Sequence, residues 1–153
     1  MVGAAVSVVP EFIAPQVSHP APVADWVTEL AEPTILVVDD DPDMVDMVTT
    51  KLVAAGYRVI TADNGASALR MVVTEQPDML VLDISMPGLD GLSVCYELHS
   101  SADTAAIPVL MMSGHSRQVD IDLGMTVGAD DYLVKPFNPA ELVRRVRWLL
   151  MAN

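Results

Sequence analysis

From Thr34 onward the chain alternates short, wholly apolar runs with longer stretches of helical periodicity. The run Ile35-Leu36-Val37-Val38 shows no polar alternation, which suits a strand covered on both faces. Comparable runs predict strands at Tyr57–Thr61, Met79–Asp83, Pro108–Met112 and Tyr132–Val134. Strands separated by helices imply parallel pairing, since each crossover helix carries the chain back to the same end of the sheet. The pattern therefore predicts an α/β fold with five strands.

The helices between them carry recognisable ends. Asp41-Pro42 offers a carboxylate N-cap followed by proline at the first helical position, and Gly56 stands where a left-handed residue closes the same helix. Asn64 and Asp90 are positioned to cap the second and third helices, and Asn138-Pro139-Ala140-Glu141 spells a capping box for the last. A fourth helix near Ser116–Val127 is interrupted by Gly124, at a cost of ~1 kcal/mol against alanine, and is expected to be the loosest. In the final helix Leu142, Val143, Val146, Leu149 and Leu150 share one face, whereas Trp148 and Met151 point the other way among Arg144 and Arg147. An outward Trp beside Arg is a candidate partner contact.

Residues 1–32 differ in kind. Pro10, Pro15, Pro20 and Pro22 punctuate a stretch that holds Glu11, Asp25, Glu29 and Glu32 but no basic residue, which predicts an extended, polyproline-like extension. Val23, Trp26, Val27 and Leu30 form one apolar stripe within it, a candidate docking element. The chain thus divides into a tether at 1–32 and a folded domain at 33–153.

With 21 acidic against 8 basic residues the formal charge is −13, which disfavours direct binding to DNA. Cys95 is the single cysteine, so no intramolecular disulfide is possible. The apolar start lacks the positive region of a signal peptide, because no Lys or Arg precedes Lys51. No apolar run approaches the ~20 residues that span a bilayer. A cytoplasmic protein is expected.

Candidate chemistry gathers at the strand ends, where ligands bind in open parallel sheets. Asp39-Asp40-Asp41 follow the first strand, Asp83 ends the third, Ser113 follows the fourth, and Lys135 follows the fifth. Each alone has an ordinary structural reading as loop, cap or ion pair. Together, carboxylates converging on one crevice repel each other unless a cation joins them, and Mg²⁺ suits such an all-oxygen site. Asp83 is then placed to attack a phosphoryl donor, with Lys135 offsetting charge and Ser113 donating a hydrogen bond. Asp41 reads as a helix cap because Pro42 follows it directly.

The segments Ile35-Leu36-Val37-Val38-Asp39-Asp40, Leu82-Asp83-Ile84-Ser85-Met86-Pro87-Gly88-Leu89-Asp90-Gly91, Met112-Ser113-Gly114 and Gly128-Ala129-Asp130-Asp131-Tyr132-Leu133-Val134-Lys135-Pro136-Phe137 resemble, in order, the receiver domains of bacterial two-component response regulators. The resemblance extends over residues 34–151. It implies a flavodoxin-like, doubly wound parallel sheet of order 2-1-3-4-5 flanked by five helices. By position it implies Asp83 as phosphoacceptor, Asp40 as the direct and Asp39 as the water-mediated metal carboxylate, and Ser85 as donor of a main-chain carbonyl to Mg²⁺. Ser113 and Tyr132 correspond to the switch hydroxyl and aromatic, and Lys135 to the phosphoryl-sensing lysine. Ser85 and His115 flank the water path at two positions that the family varies, and His115 reads as an exposed loop histidine.

The function implied is a protein-interaction switch with no output domain attached, charged by a sensor kinase or other phosphodonor and read by another protein. A different class of reading is structural. The layout and tail are similar to the response-regulator-like accessory subunit of some bacterial respiratory NADH dehydrogenases (complex I), which would mean docking on a membrane complex from the cytoplasmic side. An enzyme is disfavoured, because a haloacid-dehalogenase-type phosphatase places a second acid where this chain has Ser85.

Overall fold

The computed structural model describes residues 32–152. Within them the elements run β1 (Thr34–Val38), α1 (Pro42–Ala54), β2 (Arg58–Ala62), α2 (Gly65–Glu75), β3 (Met79–Asp83), α3 (Gly91–His99), β4 (Val109–Ser113), α4 (Gln118–Thr126), β5 (Asp131–Val134) and α5 (Pro139–Ala152). The five strands pair in the order β2-β1-β3-β4-β5, every pair parallel. The winding direction reverses at β1, so the crevice beyond β1 and β3 is the topological switch point.

The wholly apolar strands are explained by burial on both faces. Ile35, Val37, Met79, Val81, Leu110 and Met112 pack under α1 and α5, with Val48, Leu52, Leu142, Val146 and Leu149 from the helices. Leu36, Val38, Leu80, Leu82 and Met111 point to the opposite face against α2 and α3, meeting Ala68, Val72, Val94 and Leu98. Fully burying each such side chain contributes ~1.5–3 kcal/mol, enough to fix the strand register, since a one-residue slip would exchange the two faces.

β3 falls where expected, while the boundaries of other strands depart by a residue, two of them for identifiable reasons. The Tyr57 N–H donates to Leu52 O (3.1 Å), so Tyr57 closes α1 and β2 begins after it. Pro108 has no N–H to give, and it serves the ladder only by accepting from Leu80 N–H (3.0 Å). The side chains of Asp41, Asn64 and Asp90 cap α1, α2 and α3 as expected, and Gly56 has φ +100°. The capping box of α5 does not close. Asn138 Oδ1 accepts from Ala140 N–H (2.8 Å), but Glu141 pairs instead with Arg144 and Arg145, charged partners that outcompete a single main-chain amide.

Arg145 ties α5 to β5, donating to Asp131 Oδ1 (2.9 Å) and Tyr132 O (3.0 Å). Leu142, Val146 and Leu149 are buried, while Trp148 and Met151 stand 66% and 75% exposed, with Arg144 and Arg147 exposed beside them. α4 begins at Gln118 without a side-chain cap and buries only Gly124. That glycine is a point of close packing, beyond the interruption expected from the sequence.

Candidate functional site

The polar groups converge because each follows or ends a strand at the same edge of the sheet. Asp39 is as buried as the core at 1% exposed, and its Oδ2 accepts from Lys135 Nζ at 2.9 Å. Its Oδ1 accepts from Asp41 N–H (3.0 Å), which stiffens the β1–α1 turn. Asp83 is 4% exposed, with Oδ1 3.0 Å from the same Nζ. Asp40 is exposed at the rim, yet one carboxylate oxygen from each of Asp39, Asp40 and Asp83 fits within 4.8 Å of the others. A groove of about 480 Å³ opens beside them, with Asp46, Asp63, Val45 and Met71 among its walls.

Burial is the main influence on Asp83 and lifts its carboxyl above the ordinary carboxylate range, aided by Asp39 and Asp40 and opposed by the Lys135 hydrogen bond. Burial also works against the Lys135 charge, but hydrogen bonds to Asp39 and Asp83 outweigh it and hold the ammonium above its usual value. One cation thus bridges two buried carboxylates while a third lies within reach.

Lys135 is positioned by its own N–H, which donates to Ser113 O (2.7 Å), and its bond to Pro136 is cis. Ser113 is fully buried, and its Oγ accepts from His115 N–H (3.0 Å). Tyr132 lies inward at 6% exposed and donates its hydroxyl to His115 O (2.8 Å). Ser85 is exposed, with Oγ 3.4 Å from His115 Nε2. His115, read from the sequence as an exposed loop residue, is exposed, but it also touches all three of Ser85, Ser113 and Tyr132. Two of those contacts use its main chain, which leaves no mark in the sequence.

Gly91 is a second residue whose part the sequence did not reveal. A Cβ there would lie 2.2 Å from Asp83 O, so only glycine lets α3 start directly against the main chain of Asp83. Its place in the motif after Asp90 was the available signal. The outward residues Arg144, Arg147, Trp148 and Met151 belong to α5 and make no part of this cluster, and Val23, Trp26, Val27 and Leu30 lie outside the described residues.

The sheet of this order carries acids after β1, an Asp ending β3 and a Lys after β5, and residues 35–147 match the family model of the response regulator receiver domain. The chain belongs to that family. It is 43% identical over 116 residues to the alkaline phosphatase synthesis transcriptional regulatory protein PhoP of Bacillus subtilis, covering 76% of this chain and 48% of PhoP. Among solved structures, the chemotaxis protein CheY4 of Vibrio cholerae superimposes with a TM-score of 0.74 at 31% identity, over 78% of this chain and 99% of that one. The receiver domain of a Francisella response regulator gives 0.75 at 34% identity, over 79% and 98%. This receiver chain spans about half the length of the curated relatives it matches.

Proposed function

We propose that this receiver is a phosphoryl-accepting switch in which Asp83 is the acceptor. The observation that carries the reading is the Asp83 carboxylate, buried at the end of β3, hydrogen-bonded to Lys135 and grouped with Asp39 and Asp40. An all-oxygen cluster with three carboxylates against one ammonium has the chemistry of a hard divalent-cation site. Asp39, Asp40, Asp83 and the main-chain carbonyl of Ser85 would hold Mg²⁺. When bound, it supplies positive charge where phosphoryl oxygens gather.

The chain's own groups do the rest. The ionised Asp83 attacks phosphorus, the bond from phosphorus to the donor's leaving atom breaks, and an aspartyl phosphate remains. Lys135 offsets the added charge, and Ser113 offers its hydroxyl once it leaves His115 N–H. Tyr132 responds through the residue that it shares with Ser113, which changes the surface of α4, β5 and α5. The added charge acts by biasing two existing arrangements. A sensor kinase or comparable protein is the donor, and a protein target the reader. Direct DNA binding by this chain is disfavoured by its charge of −13.

The test is labelling with a small phosphodonor in the presence of Mg²⁺. The parent is expected to gain one acid-labile phosphoryl group and Asp83→Asn none; labelling of both to the same extent overturns the assignment.

A second reading is an accessory subunit docked on a larger assembly such as respiratory complex I through residues 1–32; the exposed Trp148 and Met151 beside Arg144 and Arg147 favour a partner surface on α5 and do not bear on that assembly or on residues 1–32. Among the described residues no helix is long and apolar enough to cross a membrane. On this reading the chain docks from the cytoplasmic side. Identifying what co-purifies with the native protein, with and without residues 1–32, separates the two.

A further inference from the structure

Tyr132 is held from two sides by the segment between β4 and β5. Its hydroxyl donates to the carbonyl of His115 at 2.8 Å, and its ring edge faces the backbone of Gly124 in α4. A Cβ built on Gly124 would sit 3.1 Å from the Met111 sulfur and 3.1 Å from Tyr132 Cδ2. Non-bonded carbons favour ~3.5–4.0 Å, so a side chain at 124 crowds the ring where it now lies. Gly124 is also the one residue that α4 buries, and the helix has no side-chain cap. Val119, Leu123 and Met125 are exposed, and Ile121 is only partly buried against the same core. A glycine in a helix interior is unfavourable on propensity grounds, which calls for a packing reason.

We infer that Gly124 is a positioning residue: its missing side chain seats α4 on the ring of Tyr132 and so keys the helix to the inward place of that ring. The link extends to the strand ends. His115 holds the Tyr132 hydroxyl through its carbonyl and Ser113 Oγ through its N–H, so a shift in the seat of α4 reaches Ser113 through one residue. This goes beyond the proposed phosphoryl chemistry. Its test uses unphosphorylated protein, and its failure leaves the Asp83 assignment standing.

The experiment is a double-mutant cycle with Gly124→Ala and Tyr132→Leu, read by melting temperature and by hydrogen exchange. In the parent, Gly124→Ala is expected to lower the melting temperature. It should also speed exchange of the His115 amide roughly tenfold while amides of β1 and β3 keep their protection. In the Tyr132→Leu background the same substitution is expected to lower the melting temperature much less or to raise it, because the ring is gone and only the flexible Met111 thioether must yield to the new Cβ. A Gly124→Ala protein that folds only in the Tyr132→Leu background supports the inference equally. Equal effects in both backgrounds, failure to fold in both, or an unchanged His115 amide in a folded Gly124→Ala protein would overturn it.

Discussion

Along β1 and β3 the surroundings of the chain change character within one residue. Leu36, Val37 and Val38, like Leu80, Val81 and Leu82, are fully buried among hydrocarbon side chains. Asp39 and Asp83, one step further on, are almost as buried but lie among charges, with Lys135 as their shared cation. The apolar part carries no charge and is indifferent to protons and metal ions, because its free energy comes from area removed from water. The ionic part is conditional. Buried charge is tolerated only while its partners are present, so stability there depends on protons, cations and whatever joins the carboxylates.

This contrast is broken most severely by removing one member from each half. Leu82→Ala should cost about 3 kcal/mol through lost burial and a cavity. Lys135→Met should cost roughly as much, the low end for a buried pair, because Lys135 keeps 21% of its side chain exposed. Chemical denaturation with and without Mg²⁺ tells them apart: Mg²⁺ should restore much of the loss in Lys135→Met, while the Leu82→Ala deficit stays the same. Equal rescue of both would mean that the strand ends are no more conditional than the core.

A smaller effect of opposite sign is expected at the rim. Asp40→Ala removes one of three mutually repelling carboxylates, worth about 1 kcal/mol in a water-like dielectric. Without Mg²⁺ it should melt roughly 4 °C above the parent, and with Mg²⁺ that advantage should vanish. Identical melting temperatures without metal would show that the three acids do not act as a common site.

The smallest effect lies in the acid limb of the pH profile. Asp83 has its folded pKa raised by burial above 3.8, so just above pH 3.8 the native state keeps a proton that the unfolded chain has lost. Its contribution to stability therefore falls as pH rises through that window, the reverse of a salt-bridged carboxylate whose pKa is depressed. In Asp83→Asn this component should be missing from the limb, measured by denaturation between about pH 3 and 6.

The strands were legible because burial on both faces leaves unbroken apolar runs, and Asp41, Asn64 and Asp90 announced three helix starts by side-chain chemistry alone. The convergence at the candidate site was legible for the same reason: Asp39, Asp83 and Lys135 each stand beside such a run. What escaped is carried by main-chain atoms or by missing ones. The carbonyl and amide of His115 join Tyr132 to Ser113, and no side chain records it. Gly124 reads as a defect in a helix until Met111 and the Tyr132 ring are seen against it. Glu141 kept its capping-box spacing, but of its competitors Arg144 was read only as an outward helix residue and Arg145 was not singled out.

The close approach of Gly91 to the Asp83 carbonyl bears on how this chain can vary over time. In a scan of every single substitution for phosphoryl acceptance, position 91 should stand among the least tolerant, although no atom of its own enters the chemistry. Any added carbon displaces the start of α3 from the main chain of Asp83, so under the proposed phosphoryl chemistry drift at position 91 is closed by geometry, where drift at Asp83 would be closed by reactivity.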